Sequence, residues 1–291
     1  MLEISILGSG SSGNCAVVRV NGGETVFLLD AGLSAKQIRL RLERVGVAYS
    51  DLDGILLTHE HGDHTRGIDV LCRKEQVPIY CSVMTREVLV DSIRQEMEWH
   101  LFESGDEFYL GGVKVGTFPV PHDAVDPLGF VIGDGESALG VLSDVGHVTN
   151  LVRERLSGAT SLFVEANYDE TMLQNDTKRP WATKQRISSR HGHLSNDQAA
   201  DLVGEVASEG LRHVVLGHLS SDCNHPDVAR GAVAEKLRAQ GFARVEVSCA
   251  CPREPMDWLE AAWPSEAGSV AREDEKSGTG SVCVEEQGAF L

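Results

Sequence analysis

The sequence predicts an α/β fold in which two β-sheets pack face to face and helices cover them on the outside. Three observations predict it. Short runs rich in Val, Ile and Leu recur along the chain, bounded by Gly-rich turns, and read as strands. Segments with apolar residues at helical spacing close each group, so strands come in runs rather than alternating singly with helices. With 42% hydrophobic and 24% charged residues in 291, the composition is that of an ordinary soluble globular chain.

Residues 1–8 and 15–20 read as a hairpin joined by Ser9-Gly10-Ser11-Ser12-Gly13-Asn14. Strand 25–30 follows and ends on Asp30. Residues 34–45 form a helix capped by Ser34, with Ile38, Leu42 and Val45 on one face. A strand over 52–58 is followed by a helix over 63–75, a strand over 78–81 and a helix over 85–96. Strands are expected at 107–110, 113–119, 129–133 and 138–143, then a helix at 148–156 and a strand at 161–165. Ser195 and Asn196 cap a helix over 195–208 with Ala199, Leu202, Val203 and Val206 as its apolar stripe. A buried strand at 212–216, a helix at 226–240 and a strand at 245–248 complete one domain over 1–263. Residues 264–291 are Gly-, Ser- and Glu-rich without periodicity, and read as a disordered acidic tail.

No stretch approaches the roughly 18 apolar residues of a membrane span. The apolar start has no basic region ahead of it, so it reads as a strand rather than a signal peptide, and a cytoplasmic location is expected. The seven cysteines form no Cys-x-x-Cys pair and no disulfide framework. A net charge of −18 argues against broad electrostatic capture of nucleic acid.

Chemistry concentrates in His59-Glu60-His61-Gly62-Asp63-His64, directly after the apolar run 54–58. Imidazole nitrogens and carboxylate oxygens are the ligands of hydrolytic Zn, Mn or Fe sites. Four such groups on one loop exceed the need of one tetrahedral ion. His59 and His61 can face one ion, and Asp63 and His64 a second, so the loop reads as half of a two-metal site.

At this point the chain resembles the metallo-β-lactamase superfamily, whose signature is His-x-His-x-Asp-His after a strand. The resemblance implies the four-layer αββα sandwich and further ligands at later strand ends. His122 after strand 113–119, Asp144 after strand 138–143 and His218 after strand 212–216 stand where they are required. The implied assignment is His59, His61 and His122 on one ion, and Asp63, His64 and His218 on the other. Asp144 bridges both, and Asp30 orients ligands from behind. The implied cofactors are two divalent ions, Zn, Mn or Fe, which make a bridging hydroxide nucleophilic towards an ester or phosphodiester.

Three features point to phosphodiesters. His193, in His191-Gly192-His193-Leu194-Ser195, resembles the leaving-group proton donor of transfer-RNA 3′-processing nucleases, and with Asp63 it is expected to be catalytic. The Gly/Ser turn with Ser9, Ser11 and Ser12 can hold a phosphate. The basic segment with Lys178, Arg179, Lys184 and Arg186 surrounds Trp181 and suits a nucleic-acid strand.

Residues 1 to about 258 are similar to the YycJ/WalJ-like family of metallo-β-lactamase-fold exonucleases. The Gly-Ser-Ser-Gly-Asn-Cys start, Ser-Asp-x-Gly, Glu-x-Asn-x-Asp and the two Gly-His-Leu-Ser sites carry the likeness. The resemblance implies a 5′-to-3′ exonuclease acting on DNA with Mn²⁺, and Asn167 at the substrate. One departure is Tyr168, where the family usually has His. Two other readings stand beside it: a small-molecule ester, thioester, lactone or cyclic phosphodiester hydrolase on the same fold, and a non-enzymatic adaptor. The complete ligand set counts against the adaptor.

Overall fold

The structure is a computed structural model and describes residues 1–73 and 76–261; the expected tail over 264–291 lies outside the described residues. One sheet holds β1 (Leu2–Gly8), β2 (Cys15–Val20), β3 (Thr25–Leu29), β4 (Gly54–Leu56), β5 (Ile79–Ser82) and β6 (Trp99–Phe102) in that spatial order. The other holds β7 (Glu107–Leu110), β8 (Val113–Pro119), β9 (Leu128–Gly133), β10 (Ala138–Leu142), β11 (Ser161–Glu165), β12 (His213–Gly217) and β13 (Glu246–Cys249), again in order. A last strand, β14 (Leu259–Glu260), returns to the first sheet beside β1.

Each sheet is half antiparallel and half parallel. β3 to β6 run parallel in the first sheet and β10 to β13 in the second. Parallel strands are covered on both faces, which is why they read as unbroken apolar runs. The period of two then divides neighbouring residues between two cores. Leu2, Ile4, Ile6, Phe27, Phe130, Val141 and Phe163 fill the space between the sheets. Leu7, Val17, Leu28 and Ile55 face outward against Ile38 and Leu42 of α1 (Ala35–Arg44). On the far side, Leu142, Val164, Val214 and Leu216 meet α8 (Asn196–Val206) and α9 (Pro226–Ala239), through Ala199, Val203, Val233 and Leu237. The four layers are therefore helix, sheet, sheet, helix.

Several boundaries differ from expectation, each for a local reason. The strand expected over 52–58 pairs only over Gly54–Leu56, because the Thr58 N–H goes to the Asp30 carboxylate instead of a neighbouring strand. The helix expected over 63–75 appears as two short pieces, α2 (Gly62–Thr65) and α3 (Ile68–Leu71). The helix expected over 85–96 is α4 (Val83–Leu89), capped earlier by the Ser82 hydroxyl, and β6 follows it as an unanticipated edge strand. α5 (Asn150–Leu156) is capped by Thr149, close to where it was expected. The basic segment holds α7 (Trp181–Ile187), and α6 (Glu170–Asn175) precedes it.

Candidate metal centre

Parallel strands end together, and open α/β sheets place ligands beyond those carboxyl ends. Asp30 follows β3, the His59–His64 loop follows β4, Asp144 follows β10, Glu165 closes β11 and His218 follows β12. Asp30, Asp144 and His218 have φ of 57°, 54° and 53°, in the left-handed region. Such backbone costs of order 1–3 kcal/mol for a non-glycine residue and persists only where surroundings over-determine it. Three of the four described non-glycine residues of this kind sit here. The metal loop is seated by Gly32, where a Cβ would lie 1.6 Å from the Asp63 carbonyl oxygen.

The ligand atoms of His59, His61, His122 and Asp144 all lie within 4.8 Å of one another, as do those of Asp63, His64, Asp144 and His218. Asp144 belongs to both groups, and its oxygens divide between them. Oδ2 lies 3.7 Å from His59 Nε2 and 3.5 Å from His122 Nε2. Oδ1 lies 3.5 Å from His64 Nε2 and 3.0 Å from His218 Nδ1. Asp63 Oδ2 is 3.4 Å from His218 Nε2 and 3.6 Å from His64 Nε2.

Each buried ring is anchored from behind through Nδ1. His64 Nδ1 meets Asp30 at 2.7 Å, and His122 Nδ1 donates to the Gly192 carbonyl at 2.9 Å. His59 Nδ1 meets the Thr58 hydroxyl at 3.0 Å, and His218 Nδ1 meets Glu165 at 2.8 Å. The opposite nitrogens of His59, His122 and His218 are buried without a hydrogen-bond partner. Buried polar atoms are rarely left so, and these three, two beside Asp144 and the third beside Asp63, fit divalent cations.

The electrostatics set the two groups apart: against the effect of burial, Asp144 raises His64 to about 10 and His218 well above the usual imidazole range. Burial pushes the His59 imidazole well below its usual range, with His64 beside it adding to the effect. Burial likewise lowers His122. Both are held neutral, the form that ligates. Burial works to raise the Asp144 carboxyl, but His218 and His64 hold it well below the usual carboxylate range.

A third group joins Asp144 and His218 to His193 and Glu165. Glu165 is fully buried, and its Oε1 lies 2.6 Å from His193 Nδ1 while Oε2 accepts the N–H groups of Val145 and Leu194. Burial would raise this carboxyl, yet His193 beside it and the hydrogen bonds of His193 and His218 bring it to about 2. His193 in turn is raised by Glu165, against the opposing effect of burial. Its ring centroid is 5.2 Å from that of His122, and its side chain keeps 21% exposure. Sequence reasoning noted Glu165 only as part of a motif; its position at the C-terminal end of a parallel strand was the available signal.

The expected substrate contacts separate into two sets. Ser9 and Asn167 lie behind the ligands rather than in front of them. The Ser9 hydroxyl accepts the His218 N–H and donates to Asn14, and the Asn167 amide donates to the His218 carbonyl. Ser11 and Ser12 are exposed on the turn. The basic side chains meet acids, most of them distant in sequence. Lys178 pairs with Asp222 at 2.7 Å, Arg179 with Asp176 and Asp222, and Arg186 with Asp123 at 2.6 Å. Lys184 donates to the Gln174 carbonyl, and Trp181 stands 69% exposed at the start of α7. Tyr168 is buried with Leu173 and Cys223, beneath Ile187 of α7.

Comparison with known proteins supplies a family context. Residues 25–219 match the family model described as the β-lactamase superfamily domain. The chain is 35% identical over 244 residues to exodeoxyribonuclease YycJ of Bacillus anthracis, covering 83% of this chain and 91% of that one. It is 33% identical over 239 residues to exodeoxyribonuclease WalJ of Streptococcus pneumoniae, covering 81% and 88%. The metallo-β-lactamase fold protein YhfI from Bacillus subtilis superposes with a TM-score of 0.65 at 16% identity, over 88% of this chain and 98% of that one, a likeness of fold.

Proposed function

This chain belongs to the β-lactamase superfamily, and within it to the YycJ/WalJ-like family of metal-dependent hydrolases; from that premise we propose that it is a two-metal phosphodiesterase, a 5′-to-3′ exonuclease acting on DNA. The observation that carries the reading is the convergence on Asp144 of two ligand groups in which the Nε2 atoms of His59, His122 and His218 are buried without a hydrogen-bond partner.

His59, His61 and His122 would hold one ion and Asp63, His64 and His218 the other, with Asp144 shared; Zn, Mn and Fe all suit this donor set. The ions supply Lewis acidity to a phosphoryl oxygen and to the attacking water. The remaining work falls to the chain. His193 donates a proton to the leaving oxygen, since an alkoxide departs poorly without one. Glu165 fixes the proton on His193 Nδ1 and so turns Nε2 towards the cleft. Asp30 does the same for His64. Arg186 and Lys178 exchange their exposed carboxylate partners for backbone phosphates, and Trp181 offers a stacking face. The hydrolase domain is taken as 1–263 and its place of action as the cytoplasm.

The test is digestion of duplex DNA labelled at the 5′ or the 3′ end, with Mn²⁺, beside a His59→Ala/Asp63→Ala double variant. Stepwise loss from the 5′ end by the unmodified chain alone is the expected result. The net charge of −18 favours one rival, a hydrolase of small esters or cyclic phosphodiesters. Turnover of those substrates without DNA digestion would select it.

A further inference from the structure

The second ligand group is built against the N-terminal turn, and one side chain of that turn reaches it. Asn14 is 4% exposed. Its backbone is pinned on both sides: its N–H donates to the Asp63 carbonyl at 2.8 Å, and its carbonyl accepts the Gly32 N–H at 2.8 Å. Its Oδ1 accepts the Ser9 hydroxyl at 2.8 Å and the Gly10 N–H at 3.0 Å. A backbone N–H can only donate, so the amide has one orientation and its NH₂ must face the ligands. There it lies 3.2 Å from His64 Nε2 and 3.5 Å from Asp63 Oδ2.

The same chain of hydrogen bonds continues behind. Ser9 Oγ accepts the His218 N–H at 2.7 Å before donating to Asn14. His218, Ser9, Asn14 and Asp63 thus form one connected path that touches Asp63, His64 and His218, the three ligands of the second group that the first does not share. Among the described residues, the side chains of His59, His61 and His122 share no hydrogen bond with this path; Thr58 anchors His59 and the Gly192 carbonyl anchors His122.

We propose that Asn14 is a positioning residue for the second ion alone. This rests on the two-ion reading above. His64 Nδ1 is bound to Asp30, so its Nε2 carries the lone pair. Once a cation takes that lone pair, the Asn14 NH₂ keeps one acceptor, Asp63 Oδ2. A buried donor does not stay unpaired cheaply, so the amide holds the Asp63 carboxylate towards the ion.

The test is calorimetric titration of Mn²⁺ into the metal-stripped full-length chain, with a competing chelator. Two binding events are expected, and the one lost in Asp63→Ala is the second ion. Asn14→Ala should weaken that event by about 10- to 100-fold and leave the other within about twofold, as loss of an outer hydrogen-bond partner does elsewhere. Both events unchanged, or both weakened together, would overturn the proposal. Should Asn14→Ala not fold, Asn14→Asp keeps the acceptor for Ser9 and Gly10 and removes the donor. A change confined to the second event is then expected, and none overturns the role. A single event in the unmodified chain refutes the two-ion reading itself, and this inference with it.

Discussion

The ligand cluster and the α6–α7 segment beside it are held in opposite ways. In the cluster His59, His64, His122 and His218 are buried and each is tied through one nitrogen, and Asp30, Asp144 and His218 hold backbone that only strong constraint maintains. The α6–α7 segment is fastened by exposed ion pairs to Asp123 and Asp222, with a small apolar contact of Tyr168, Leu173, Cys223 and Ile187 beneath. Exposed pairs are weak and screened by salt. The contrast teaches a division of labour. The cluster must keep its geometry through every turnover, whereas the neighbouring segment must let go of its own acids to take hold of phosphates.

The largest effect expected is from Asp144→Ala, which deprives both groups at once. Bound metal should fall to less than one ion per chain and DNA digestion by well over 100-fold, since even an outer partner is worth 10- to 100-fold. Metal analysis beside the digestion checks it. Retention of both ions would break the comparison, because the cluster would then not depend on its shared carboxylate. His193→Ala comes next. It should keep both ions and lose about 10²- to 10⁴-fold in rate, the usual worth of a positioned general acid. Full activity would leave His193 with only a structural role.

How much of this was legible in the sequence follows the same division. His59, His61, Asp63 and His64 are local, and a six-residue pattern displays them whole. His122, Asp144 and His218 are single residues, readable because each ends an apolar strand and the fold gathers strand ends. The acids opposite the basic segment were not readable. Asp123 and Asp222 lie 63 and 44 residues from Arg186 and Lys178, and no local pattern announces such a pairing. Ser9 and Asn167 show the same limit in reverse: polar side chains beside a site look alike in sequence whether they face it or brace it. The helices α6 and α7 were hidden too, since neither has an apolar stripe long enough to show the helical period.

Smaller effects sharpen the contrast from the exposed side. Trp181→Ala should leave metal content and the hydrolysis step alone. It should raise KM for DNA by roughly tenfold, the scale of losing one base-stacking contact of about 1–3 kcal/mol. An unchanged KM would remove Trp181 from the substrate path.

The smallest effect expected belongs to Arg186→Ala, and salt is the way to see it. Arg186 is bound to Asp123, whose other oxygen is 3.3 Å from His122 Nε2, so it is the basic residue of this segment tied to the cluster's edge. If it trades Asp123 for a phosphate, the change of partner costs little, because an exposed pair stabilises little. At low salt the affinity for DNA should therefore drop only modestly. What changes is the dependence on ionic strength: each phosphate contact removed lowers the slope of log affinity against log salt by about 0.7 to 0.9. Affinity measured from low to moderate salt, with the metal in place, reads that slope directly. A slope equal to that of the unmodified chain would mean that Arg186 keeps Asp123 throughout, and that this edge of the α6–α7 segment is as fixed as the cluster it adjoins.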